Sequence, residues 1–69
     1  STFKIKSYGR SELASLFMPD IWPKSAWQTF KNEWMERNPR LRAILKEMGN
    51  RRRFTPKEVE IIISELGDP

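Results

Sequence analysis

Arg51-Arg52-Arg53-Phe54-Thr55-Pro56-Lys57-Glu58 decides how this chain is read, because three consecutive cations run straight into a helix start. Thr55 is a favoured N-cap residue. Pro56 suits the first helical position, where its missing N–H is no loss, and Glu58 falls at N3 to complete a capping box. Phe54 and Val59 stand at N′ and N4, the spacing of a hydrophobic staple. The helix opened in this way runs from Pro56 to Leu66, buries Val59, Ile62, Ile63 and Leu66, and stops at Gly67. The cations are thereby fixed to a defined point of the fold, whereas on a loose tail they would only be adhesive.

Working outward, the residues before the cap, Arg51 to Phe54, read as a short extended segment that needs a partner. Phe3-Lys4-Ile5-Lys6-Ser7-Tyr8 alternates apolar and polar residues with period two, so it is the strand candidate, with Phe3 and Ile5 on one face. The two are expected to pair as an antiparallel ribbon. A two-stranded ribbon is marginal by itself, so helices must cover one of its faces. Gly9 serves as N-cap with Glu12 at N3, opening a helix over Arg10 to Phe17 that carries Leu13, Ala14, Leu16 and Phe17 and ends at Pro19-Asp20. Pro23 opens a second helix running to about Glu36, with Ala26, Trp27, Phe30 and Trp34 as its apolar face and Met35 grouped with the polar side. Asn38-Pro39 repeats the cap-then-proline pattern for a third helix, Pro39 to Met48, whose stripe is Leu41, Ile44, Leu45 and Met48 and which Gly49 closes. The expected fold is mostly α with a small two-stranded antiparallel ribbon, in the order β-α-α-α-β-α, as one domain over residues 1–69.

At 69 residues the chain is near the lower size at which a single core sustains folding. It has no cysteine and no histidine, which excludes disulfides and thiol chemistry and removes the usual zinc ligands and the commonest general base. Ser11, Ser15, Ser25 and Ser64 have no histidine to activate them, there is no glycine-rich phosphate loop, and the carboxylates are interspersed with cations as ion-pair partners. An enzyme is therefore not expected, nor a cofactor, a metal or a small-molecule substrate. Three Trp and four Phe supply a core despite a mean hydropathy of −0.70. No apolar run approaches the roughly 18 to 20 residues that span a bilayer, and the N-terminus lacks a signal-peptide core, so a cytoplasmic location without membrane contact is expected.

Net charge is +4, and its distribution says more than the total. Residues 1–53 hold twelve Lys/Arg against five Asp/Glu, a balance of +7, while residues 54–69 balance to −3. Two helices joined by roughly five residues outline a helix-turn-helix, in which the second helix enters the major groove. Lys24, Ser25, Gln28, Lys31 and Asn32 on that helix have suitable chemistry: Gln and Asn pair bidentately with adenine, and Lys reaches guanine or phosphate. The same residues also suit a plain solvated face. Trp27 and Trp34 share a face with Phe30 and read as core, whereas Trp22, in the turn before Pro23, either caps the core or is an exposed contact. Extended residues alternate, so Arg52 joins Phe54 on the core side while Arg51 and Arg53 point away and are chosen for phosphate contact. The alternative is a solubilising run near Glu58 and Glu60. Arg37, Arg40 and Arg42 surround a helix start, where cations and backbone donors together suit an anion.

Tyr8-Gly9-Arg10-Ser11-Glu12-Leu13-Ala14-Ser15-Leu16-Phe17 resembles the opening strand and first helix of MerR-type and excisionase-type winged helix-turn-helix domains. Arg51 through Val59 resembles their wing's return strand and the helix after it. The resemblance implies binding of double-stranded DNA, of the transcription-regulator or recombination-accessory type. Its contacts would be Lys24, Ser25, Gln28 and Lys31 on the second helix and Arg51, Arg52 and Arg53 on the wing. The helix Pro39 to Met48 is additional to that pattern, and the long coiled-coil helix of MerR regulators has no counterpart. From Tyr8 to Gly67 the chain is similar to a family of short uncharacterised Bacteroidetes proteins with a domain of unknown function. The shared pattern is Tyr8-Gly9-Arg10-Ser11-Glu12-Leu13-Ala14, Ala26-Trp27, Trp34, Asn38-Pro39, Leu41, Gly49, Phe54-Thr55-Pro56 and Leu66-Gly67. The other reading is a small protein-interaction module or homodimer that docks through the basic surface or through exposed Trp22 and Met35.

Overall fold

The computed structural model describes residues 3–69. Its elements are β1 (Tyr8–Gly9), α1 (Arg10–Phe17), α2 (Pro23–Phe30) with a π-helical extension (Lys31–Met35), α3 (Pro39–Met48), β2 (Arg53–Phe54) and α4 (Pro56–Leu66). The fold is mostly helical with one antiparallel ribbon, in the expected order.

The helix starts follow from local chemistry. At α4, Thr55 Oγ1 accepts from the Glu58 N–H at 3.2 Å and Glu58 Oε1 accepts from the Thr55 N–H at 2.8 Å, a reciprocal capping box. At α3, Asn38 Oδ1 accepts from the N–H groups of Arg40 and Leu41 at 3.0 and 3.4 Å. Gly9 has no side chain with which to cap α1, so only the returning half of the box exists, with the Gly9 N–H donating to Glu12 Oε1 at 3.0 Å. Gly49 and Gly67 close α3 and α4 with φ of 56° and 86°, a region that disfavours any side chain.

The ribbon is shorter than alternation predicts. Tyr8 faces Phe54 and Gly9 faces Arg53, and none of residues 3–7 joins the ladder. Side chains replace it there: Ser7 Oγ donates to the Phe54 carbonyl at 2.9 Å, and the Tyr8 hydroxyl folds back to the Lys4 carbonyl at 2.8 Å. Phe3 stacks on Tyr8 at 5.3 Å between ring centroids, while Ile5 is exposed, so these two residues do not share a buried face.

Leu13 and Ala14 of α1 meet Ala26, Trp27 and Phe30 of α2, the stripes of α3 and α4, and Phe54 in a single core. Leu16 is exposed. Trp27 packs edge-on against Phe54 at 5.9 Å and so joins α2 to the ribbon. The first residue of α1, Arg10, lies over Trp27, and the last, Phe17, packs on Phe30 and Trp34. An antiparallel hairpin would bring Phe17 to the start of α2, so the two helices are not an aligned antiparallel pair.

The second helix holds the main departure from the expected pattern. Its last five residues form a π-helix, with the Glu36 N–H donating to the Lys31 carbonyl at 2.9 Å. A π turn holds more residues than an α turn, so each residue beyond it lags in rotation. That lag carries Met35 from the polar side, where a regular helix puts it, into the apolar stripe, where it is 0% exposed. Among the described residues no helix is long and apolar enough to cross a membrane.

Candidate nucleic-acid interface

Lys24, Ser25, Gln28 and Asn32 lie exposed on α2 and its extension, with Lys31 half-exposed among them. Lys24, Gln28 and Lys31 follow one row at spacings of four and three, and Ser25, Gln28 and Asn32 an adjacent row at spacings of three and four, so all five share one face. Trp27, buried between this face and Phe54, fixes the helix against the ribbon.

The three ribbon arginines have separate fates. Arg51 grips Glu58 with two nearly parallel bonds of 2.9 and 2.8 Å, and its Nη1 also donates to the Arg53 carbonyl at 3.1 Å. Burial alone would push the Glu58 carboxyl up. The Arg51 guanidinium and the Thr55 N–H outweigh it and hold the carboxyl below the usual range. Its bonds to Glu58, against a smaller opposing effect of burial, hold the Arg51 guanidinium above its ordinary value. Arg53 donates from Nε to Ser7 Oγ at 3.3 Å and from Nη2 to the Ser7 carbonyl at 3.4 Å, which lays the exposed guanidinium along β1. Arg52, placed by alternation on the core side, is exposed, and its guanidinium has no hydrogen-bond partner among the described residues. The reason is the shortness of β2, which starts only at Arg53, so that strand alternation does not extend back to Arg52.

A further residue, Arg10, joins the two groups. Its backbone N–H donates to the Arg52 carbonyl at 3.0 Å, and its guanidinium lies 5.3 Å from the Trp27 ring centroid. With Lys31 it lines a cleft of about 220 Å³ floored by Trp27, Leu45 and Met48, where Glu36 is the lone carboxylate. The shared cleft and the Arg10–Arg52 backbone bond thus link Lys31, Arg10, Arg52 and Arg53 into a seam that runs along the backbone from α2 to the ribbon, with the Arg53 guanidinium turned to Ser7. The ribbon register carried the signal for Arg10, because a strand pairing Gly9 with Arg53 sets Arg10 beside Arg52.

At the start of α3, Arg37 and Arg40 are otherwise engaged, while Arg42 is exposed. Asn38 takes the helix's backbone donors, Arg37 pairs with Glu33 at 3.0 Å, and Arg40 pairs with Glu65 at 2.8 Å, where Asn38 Nδ2 also donates at 3.0 Å. An open groove of about 520 Å³ between α3 and α4 mixes both signs of charge over Ala43, Ile44 and Ile61. No group of three or more metal-ligating side chains occurs among the described residues.

No curated protein and no solved structure matches the chain. A family model does match it, over residues 4–69, which takes in all four helices, the ribbon and every residue of the cationic seam. The chain belongs to the family described as a domain of unknown function, DUF4248.

Proposed function

We propose that this domain binds double-stranded DNA, with the exposed face of α2 toward the major groove and Arg10, Lys31, Arg52 and Arg53 on the phosphates. The observation that carries the reading is the seam at Arg10. The folded chain assembles cations from three separate sequence segments beside a helix that offers Gln28, Asn32 and Lys24 to solvent. Helices α1 and α2 packed beside a ribbon at the seam fit a winged helix-turn-helix mode of the MerR or excisionase type, and so a transcription-regulator or recombination-accessory role in the cytoplasm. Arg51 is left out of the contact set, because its guanidinium is already satisfied by Glu58.

Titration of labelled protein with random-sequence duplex, followed by amide chemical shifts, tests the placement. The reading expects shifts at Arg10, residues 24–32 and residues 52–53, and none along the outer face of α4. Absence of shifts at low salt, or shifts confined to the α3–α4 groove, would overturn it. A protein-docking reading is favoured by one feature, Trp22, which is 82% exposed. The other residue expected to dock, Met35, is buried.

A further inference from the structure

Trp22 has no role in the fold as described. The other two Trp side chains pack against Phe54, Phe17 and Phe30, whereas Trp22 stands at the N-cap position of α2, makes no side-chain cap and lies open to water. Its turn is nonetheless constrained. Pro19 and Pro23 flank it, the Ile21 N–H donates to the Met18 carbonyl at 3.2 Å, and the Trp22 carbonyl accepts from Ala26 at 2.7 Å. Trp22 itself sits at φ −54° and ψ 138°, the extended region that a residue before proline prefers. Ile21 is exposed beside it, and Pro19, Asp20, Ile21, Trp22 and Pro23 line one shallow depression.

Charge and position select the partner. The indole stands two residues before Lys24, at the leading end of the helix whose polar face runs on to Lys31, with Asp20 as the lone anion in the turn. A basic surface ending in an exposed aromatic ring is the combination that holds phosphates and stacks an unpaired base, because every base has a π face and needs no particular sequence to use it. We infer that Trp22 stacks on an unpaired nucleobase, so that the domain prefers DNA in which duplex adjoins an unpaired base over fully paired DNA. This rests on the DNA-binding reading above and adds to it the class of DNA.

The experiment compares two hairpin DNAs closed by a non-nucleotide linker, one fully paired and one carrying a single-stranded overhang, binding to the full chain and to its W22F and W22A forms. Stacking on one base is worth a preference of about 5- to 140-fold for the overhang DNA in the wild-type chain. The expected result is that preference, with quenching of indole emission on saturation; W22F keeps part of the preference, and W22A loses it while binding the paired hairpin as the wild type does. Circular dichroism of W22A should be unchanged, since the side chain it removes is exposed. Equal preference in wild type and W22A, or unchanged indole emission at saturation, overturns the inference and leaves the duplex reading standing. Loss of self-association in W22A with DNA binding intact also overturns it, making the indole a protein contact. Failure of the paired hairpin to bind the wild type at low salt overturns both readings.

Discussion

The carboxyl of Glu58 is nearly buried yet ionised, because Arg51 and the Thr55 N–H solvate it in place of water. Its pKa is lowered on folding, so its stabilising effect is complete above the ordinary value of 4.5 and is lost as pH falls from there through the lower folded value. Urea midpoints of wild type and Glu58→Gln should therefore differ at neutral pH, by about 1 kcal/mol since Arg51 is partly in water, and converge in acid. A difference independent of pH would contradict the pairing. Arg51 and Arg52 are neighbours with opposite expected behaviour. Arg51→Ala should lower the denaturation midpoint and leave any DNA salt dependence little changed. Arg52→Ala should leave the midpoint alone and flatten the salt dependence. The sequence distinguishes the arginines from other cations but not from one another, since what separates them is which one Glu58 captures. That capture needs the turn between α3 and α4 to be in place.

Elements whose instructions are local were legible in advance. Thr55-Pro56 with Glu58, and Asn38-Pro39, each specify a helix start within a few residues, and Gly49 and Gly67 specify stops in the same way. Thr55→Ala should cost about 1 kcal/mol, read as a shift in the urea midpoint, and Asn38→Ala should cost more because its amide also ties α3 to Glu65 of α4. The π-helical end of α2 was not legible. No local residue pattern separates a bond spanning five residues from one spanning four; the choice is made by burying Met35 beside Trp34. Met35→Ala should accordingly destabilise by about 2–5 kcal/mol, enough in a domain this small to leave much of it unfolded at 25 °C by circular dichroism. A cost near that of a surface substitution would contradict the rotation. The N-terminal strand was over-extended for a related reason, because alternation over Phe3 to Tyr8 does not reveal that Ser7 and Tyr8 satisfy backbone carbonyls with their own hydroxyls.

At the scale of the whole molecule the charge asymmetry, +7 over residues 1–53 and −3 over residues 54–69, is plain from composition. Its arrangement is not. Folding pairs Arg37, Arg40 and Arg51 with Glu33, Glu65 and Glu58, sets Arg10 in the cleft with Lys31 beside α2, and bonds the Arg10 backbone to Arg52 in the ribbon. Arg10 was the part of this site least visible in the sequence, since it reads as the first residue of a helix and becomes part of the seam only through the ribbon register. A single module with so few phosphate contacts should bind weakly and lose affinity steeply with salt. The most direct measurement is the affinity for random-sequence duplex across a salt series. For four phosphate contacts the slope of log K against log salt should be about −3 to −4, shallower by about 0.9 in Arg52→Ala. A flat dependence, or one that Arg52→Ala does not change, would contradict the assignment of this face to DNA.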